Sequence, residues 1–244
     1  MGISRLEPGI VLIEDAGTNC YLIELGQRLM FVDTGLPRTW RYAQEALDSL
    51  GRTWDEVTDI VLTHAHFDHL GFAARAQRES GARVWVHPGD HRIAAHPYRY
   101  RPGRPRLLYP LRYPAAAPVL AQMVMAGALR VEGVDEVESL GVSSAPEGVV
   151  VIPAAGHTDG HCVLHLPALD AVLTGDALVT LDPYTGRRGP RIVARAGTKD
   201  AVQARRSLER IAATGARMVM PGHGDPWLLG AETAVASARR SEVA

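Results

Sequence analysis

The run Thr63-His64-Ala65-His66-Phe67-Asp68-His69 places three imidazoles and a carboxylate within six consecutive positions. Residues two apart on an extended segment project to the same side, so His64 and His66 can reach one ion. Imidazole suits Zn²⁺, Fe²⁺ and similar ions. Asp68 and His69 add a second donor pair where an apolar strand gives way to a helix. A helix-capping role accounts for Asp68 alone and leaves three histidines without a purpose. The chemistry such a cluster supports is metal-assisted hydrolysis.

Further donors follow later apolar runs. His157 lies in Ala155-Gly156-His157-Thr158-Asp159-Gly160-His161, Asp176 follows Leu173-Thr174-Gly175, and His223 follows Met220-Pro221-Gly222. Taken singly, each reads as a turn aspartate or a surface histidine. Their common placement after apolar strands, each beside a small residue that permits close backbone approach, points to one shared site.

The elements that must position these residues can be read from periodicity. Short strands are expected at 10–13, 20–25 and 29–32, separated by turns as in a meander. The spacing of Trp40, Ala43, Ala46, Leu47 and Leu50 predicts a helix over 39–50, with Gly51 as its stop. A strand at 60–62 leads into the histidine run, followed by a helix over 70–80 and a strand at 83–86. Strands resume at 148–152, 162–166 and 171–173, then a helix over 199–213, a strand at 218–220 and a helix over 230–240. Two batches of strands, each ending in strand–helix units, predict an α+β sandwich of two mixed sheets with helices outside. The intervening stretch, about 88–144, carries Pro97, Pro102, Pro105, Pro110, Pro114 and Pro118. Proline at that density breaks helices and central strands. It reads as a Pro/Arg/Tyr-rich insertion of short helices and loops within a single domain, 1–244.

Hydrophobic residues make up 46% of the 244, enough to bury a core without a structural metal, so a bound metal is expected to be functional. The formal net charge of −1 gives no general attraction to nucleic acid or anionic membrane. No apolar run approaches 18 residues, and the first residues lack the apolar segment of an export signal. A cytoplasmic protein without nucleic-acid or membrane partners is expected. Cys20 and Cys162 have no zinc-pair spacing and are expected to be reduced and buried.

Five ordered elements, Val32-Asp33-Thr34-Gly35, the 63–69 run, Gly156-His157, Gly175-Asp176 and Gly222-His223, together resemble the metallo-β-lactamase-fold superfamily, a group of mostly hydrolytic enzymes. The resemblance implies an αββα four-layer sandwich and a dinuclear site. In it His64, His66 and His157 hold one ion, Asp68, His69 and His223 the other, and Asp176 bridges both. Two Zn²⁺ are the expected ions, with Fe or Mn as alternatives. Asp33 and His161 support the ligands by hydrogen bonding, and Asp68 orients the nucleophile. The implied reaction is attack of a metal-bound hydroxide on an ester, thioester or lactone of a small molecule.

Departures from subgroups narrow the reading. No cysteine lies near Asp176, as one β-lactamase subgroup requires, and the bridging carboxylate absent from another is present. Glyoxalase II enzymes share the ligand pattern but add a helical region, whereas little follows His223 here. Lactonases often carry a tyrosine three residues after the bridging aspartate, where this chain has Val179; Tyr184, with Arg187 and Arg188, is the candidate substitute for binding substrate. Rival readings are a mononuclear iron persulfide dioxygenase and a non-catalytic metal-binding protein. Arg99, Arg101, Arg104, Arg106 and Arg112 of the insertion suit an anionic substrate or a solvated surface. Its 119–129 stretch reads as a lid helix or a face for a homodimer.

Overall fold

The computed structural model describes residues 2–100, 102–105 and 109–244; Arg101 and Arg106 lie outside them. The first half of the chain forms a seven-stranded sheet in simple order: β1 (Gly2–Glu7), β2 (Ile10–Asp15), β3 (Thr18–Leu25), β4 (Arg28–Val32), β5 (Val57–Val61), β6 (Arg83–Val86) and β7 (Glu138–Ser139). The first four pair antiparallel, and β4 through β7 pair in parallel. The second sheet has β8 (Val150–Pro153), β9 (Cys162–Leu166), β10 (Ala171–Gly175) and β13 (Met218–Pro221) in the order β13-β10-β9-β8. A separate ribbon joins β11 (Val179–Leu181) and β12 (Arg188–Arg191).

Strand alternation builds four layers. Leu22, Leu29 and Phe31 face away from the second sheet and pack with Ala43, Ala46 and Leu47 of α1 (Trp40–Leu50) and Ala73 and Ala76 of α2 (Ala73–Ser80). Their neighbours Tyr21, Ile23, Met30 and Val32 point the other way, against Cys162, Leu164, Leu173 and Met220 of the second sheet. Val163, Val172 and Val219 form the outer face of that sheet and meet Ala204, Leu208 and Ile211 of α6 (Ala201–Ala212) and Ala234 and Ala238 of α7 (Ala231–Arg240). A period of two in the strands and 3.6 in the helices thus gives the αββα sandwich. Gly51 ends α1 at φ 66°, the left-handed conformation that glycine adopts without penalty. Cys20 and Cys162 are buried free thiols in different layers, Cys20 under the helices and Cys162 between the sheets.

The 88–144 stretch contains α3 (His91–Ala95), α4 (Tyr109–Arg112) and α5 (Ala117–Met125). It is tied to the core at both ends. Ile93, Ala94, Val131 and Val134 pack among the side chains under α1 and α2, and β7 adds an edge to the first sheet. In between, Met123 and Ala126 pack on Ala16 and Leu36, with Phe67 alongside, while Val124 and Met125 face outward. Among the described residues no helix is long and apolar enough to cross a membrane.

Candidate metal centre

All the candidate donors lie on loops that leave the C-terminal ends of strands. Asp33 follows β4, the 63–69 run follows β5, His157 and His161 follow β8, Asp176 follows β10 and His223 follows β13. Because the two sheets pack face to face, these ends meet at one edge of the sandwich. There the structure brings together seven buried side chains, His64, His66, Asp68, His69, His157, Asp176 and His223. They form three overlapping groups whose donor atoms lie within 4.8 Å of one another: His64, His66 and His157; His64, His69 and Asp176; Asp68, His69 and His223. Asp176 faces both ends of the cluster, with Oδ2 3.4 Å from Nε2 of His157 and of His223, and Oδ1 3.4 Å from Nε2 of His69. Asp68 Oδ2 lies 3.4 Å from His223 Nε2, and α2 has no side-chain cap, so Asp68 serves the cluster and not the helix.

The hydrogen bonds behind the rings orient their lone pairs. His223 Nδ1–H donates to the Gly17 carbonyl at 2.8 Å, and His69 Nδ1–H to Asp33 at 2.9 Å. The Thr63 hydroxyl donates to Asp33 at 2.9 Å and therefore accepts from His64 Nδ1–H at 3.1 Å. The Thr198 hydroxyl donates to the Val193 carbonyl at 2.8 Å and accepts from His157 Nδ1–H at 3.2 Å. With the Nδ1 proton held outward, each Nε2 points inward, where it is an acceptor whenever the ring is neutral. His64 Nε2, His69 Nε2, His223 Nε2 and Asp176 Oδ1 are buried yet have no hydrogen-bond partner. Buried polar atoms without partners are rare, and a set of convergent acceptors is what a cation requires. His66 presents Nδ1 instead, 2.9 Å from His157 Nε2, and two basic nitrogens that close need a shared cation or proton. The residues fit a metal centre.

Titration behaviour divides the cluster. Burial pushes His64 well below the ordinary imidazole range and His157 down to about 4. Burial also opposes charge on His69 and His223, but Asp176 with Asp33 outweighs it at His69, and Asp176 with Asp68 at His223. His69 is held well above the usual value and His223 at about 10. Asp68 and Asp176 are held low despite their burial, by the neighbouring imidazoles His223 and His69.

Around the donors are residues that hold them in place. Asp33 sits at φ 57°, a conformation uncommon for a side-chain-bearing residue. Its carboxylate accepts from the Thr63 backbone N–H at 2.8 Å, the Thr63 hydroxyl and His69. His161 Nε2 accepts the Asp176 backbone N–H at 3.0 Å, which leaves that nitrogen turned to the backbone and not to the cluster. Gly222 permits the close approach behind Asp176: a Cβ there would lie 2.5 Å from Asp176 Oδ1 and 2.6 Å from His69 Cε1. Tyr184 lines an apolar recess beside Asp68. Arg187 and Arg188 are not brought to the donors. Arg187 lies over the Tyr113 ring, and Arg188 is exposed and faces Asp225.

Three residues escape sequence reading. Asp90 is fully buried and accepts from the Ala65 N–H at 3.2 Å, the Thr158 hydroxyl at 2.7 Å and the Gly160 N–H at 2.8 Å. It therefore clamps the loop between His64 and His66 to the loop between His157 and His161. Asn19 Nδ2–H and the Tyr21 hydroxyl both donate to the Pro221 carbonyl, at 2.9 and 2.8 Å, and fasten the loop of His223 to the first sheet. Only the lone Asp after Pro88-Gly89 offered a hint, and a turn aspartate is the ordinary reading of that pattern.

Comparison with known proteins agrees with this geometry. Residues 13–223 match the family model of the metallo-beta-lactamase superfamily. A hydroxyacylglutathione hydrolase of Jannaschia sp. (strain CCS1) is 30% identical over 139 residues, 57% of this chain and 39% of that protein; the match spans about two-fifths of the relative's length. The crystal structure of the metallo-beta-lactamase family protein TTHA1429 from Thermus thermophilus superposes with a TM-score of 0.66 at 26% identity, covering 95% of this chain and 80% of that one. TTHA1623, solved in a di-iron-bound form, superposes at 0.64 and 23% identity, covering 96% and 97%.

Proposed function

The chain belongs to the metallo-beta-lactamase superfamily, and from that premise we propose that it is a dinuclear metal-dependent hydrolase of a small-molecule ester, thioester or lactone. The observation that carries this reading is that three Nε2 atoms and a carboxylate oxygen are buried without a hydrogen-bond partner, in overlapping groups whose donor atoms lie within 4.8 Å of one another. His64, His66 and His157 would hold one ion and Asp68, His69 and His223 the other, with Asp176 available to both. When bound, such ions polarise a carbonyl and bring the pKa of water from about 16 toward about 7.

The chain's own residues do the rest. Asp33, Thr63, Thr198 and the Gly17 carbonyl fix the tautomers of four imidazoles, so no ring has to rotate when a ligand enters. Asp68 stands at the edge of the cluster, where its carboxylate can accept the proton of the attacking water and deliver it to the leaving oxygen or sulfur. Tyr184 and Phe67 line the approach to Asp68 with largely apolar surface.

Zinc is the first expectation for an imidazole- and carboxylate-donor set, with iron next. The test is elemental analysis of the purified protein together with an ester, thioester and lactone panel. Two equivalents of metal and turnover of at least one class are expected, and His66→Ala should lose the turnover together with the metal of its own end. Full activity after complete metal removal would overturn the reading.

A further inference from the structure

Two recesses open from the donor cluster, one at each end. The recess at His66 and His157, about 470 Å³, is bordered by Arg92, Arg99 and Lys199. Lys199 is neutralised by Asp159 at 2.5 Å. Arg92 and Arg99 are exposed, and among the described residues no hydrogen bond or ion pair engages either guanidinium, so two positive charges stand unbalanced at its rim. The Tyr100 ring lies against His66, with ring centroids 4.0 Å apart, and lines the same recess. The second recess, about 270 Å³, lies over Asp68 and is lined by Phe67, Leu120, Met123, Pro183 and Tyr184. Apart from the Asp68 carboxylate it offers almost only hydrocarbon.

The 88–144 stretch furnishes both. Arg92, Arg99 and Tyr100 come from α3 and the segment after it, and Leu120 and Met123 from α5. A guanidinium presents paired N–H donors that match a carboxylate or phosphate. An apolar recess gains by excluding water from an alkyl or aryl group and offers nothing to a charge. A molecule whose carbonyl sits at the cluster, with one arm in each recess, must be charged at one end and greasy at the other.

We propose that the substrate carries both arms on one hydrolysable carbonyl: an anionic group, carboxylate or phosphate, held by Arg92 and Arg99, and a short alkyl or single-ring group over Asp68. Water adds across the acyl–oxygen or acyl–sulfur bond, releasing a carboxylic acid and an alcohol or thiol. This substrate class rests on the hydrolase reading above, and the anionic recess can be tested apart from it.

The experiment compares three thioesters that share a butyryl group and end in a carboxylate, a phosphate or a carboxamide on the thiol arm. Their kcat/KM values are measured on the metal-loaded protein. Binding of the matching non-hydrolysable amides is followed by calorimetry. An advantage of about tenfold or more for at least one anion over the carboxamide is expected in both measurements, and the better anion identifies the charged group. Arg92→Gln/Arg99→Gln, at two exposed positions, should shrink that advantage to about twofold, mainly through KM. Replacing butyryl by acetyl should lower kcat/KM, and Leu120→Ser should shrink that dependence on chain length. Equal binding of charged and neutral amides, or an advantage that survives the double variant, would overturn the proposal. If neither these thioesters nor the corresponding esters turn over while the amides still rank by charge, the acyl-hydrolase reading falls for this substrate class and the anionic recess stands.

Discussion

The donor groups at the two ends of the cluster differ in charge. His64, His66 and His157 are all imidazoles, and burial keeps His64 and His157 neutral. The group of Asp68, His69 and His223 contains a carboxylate and lies against Asp176, so its imidazoles are held protonated, His223 up to about 10. Both ends are equally sealed from solvent. The difference therefore comes from the carboxylates, which in a dry site attract any cation, proton or metal. At one end His64 and His157 are already neutral, and at the other His69 and His223 must each lose a proton before a metal can enter.

The largest effect should come from removing what the two ends share. Asp176→Ala should lower kcat/KM by about 10³-fold or more, roughly 4 kcal/mol of transition-state stabilisation, and leave less than two equivalents of metal by elemental analysis. Retention of both metals would show that the ends do not depend on Asp176. Next in size, Asp68→Asn and His157→Ala should each cost one equivalent of metal, from different ends. If either variant loses both, the ends are a single cooperative unit and the contrast fails.

The sign of the pH dependence sharpens the comparison further. Metal binding must expel the His223 proton below about 10 and that of His69, which is held up as well, so affinity at that end should rise at least tenfold per pH unit from about 6 to about 9. His157 has already lost its proton above about 4, so the imidazole end should change little over that range. Chelator competition at several pH values separates the two slopes, and equal slopes would remove the asymmetry. A smaller effect is expected from Asp90→Ala. Losing the clamp on Ala65, Thr158 and Gly160 should weaken metal binding about 10- to 100-fold, felt at the imidazole end first. The smallest is Thr198→Val, which deprives His157 Nδ1–H of its acceptor and should cost about tenfold in affinity at that end alone.

Much of this was legible in the chain itself. The types, order and strand-end placement of all seven donors are local features: an apolar run of three or more residues, a short turn with small residues, then a ligand or a cluster of them. The helix over 39–50 appears as α1 at Trp40–Leu50 because its apolar spacing and its glycine stop lie within one window. β1 and β7 carried no such signal. β1 is largely half-buried or exposed, and β7 has two exposed residues that pair only because β6 offers its edge. The ribbon of β11 and β12, with a glycine and a proline in its second strand, is equally silent.

By itself, then, the sequence determined which residues could ligate and at which ends of which strands they stand, since strand period and turn chemistry act over a few neighbours. Tertiary structure alone decided which nitrogen of each ring faces inward, that Asp90, Asn19 and Tyr21 lock the loops, that Tyr184 lines a recess beside Asp68 while Arg187 and Arg188 lie elsewhere, and that Arg92 and Arg99 line a recess beside His66. The physical reason is separation along the chain. Asp90 is 70 residues from the Gly160 N–H that it accepts, and His223 donates to a carbonyl 206 residues away. Such bonds exist only once two sheets have packed and brought their strand ends together.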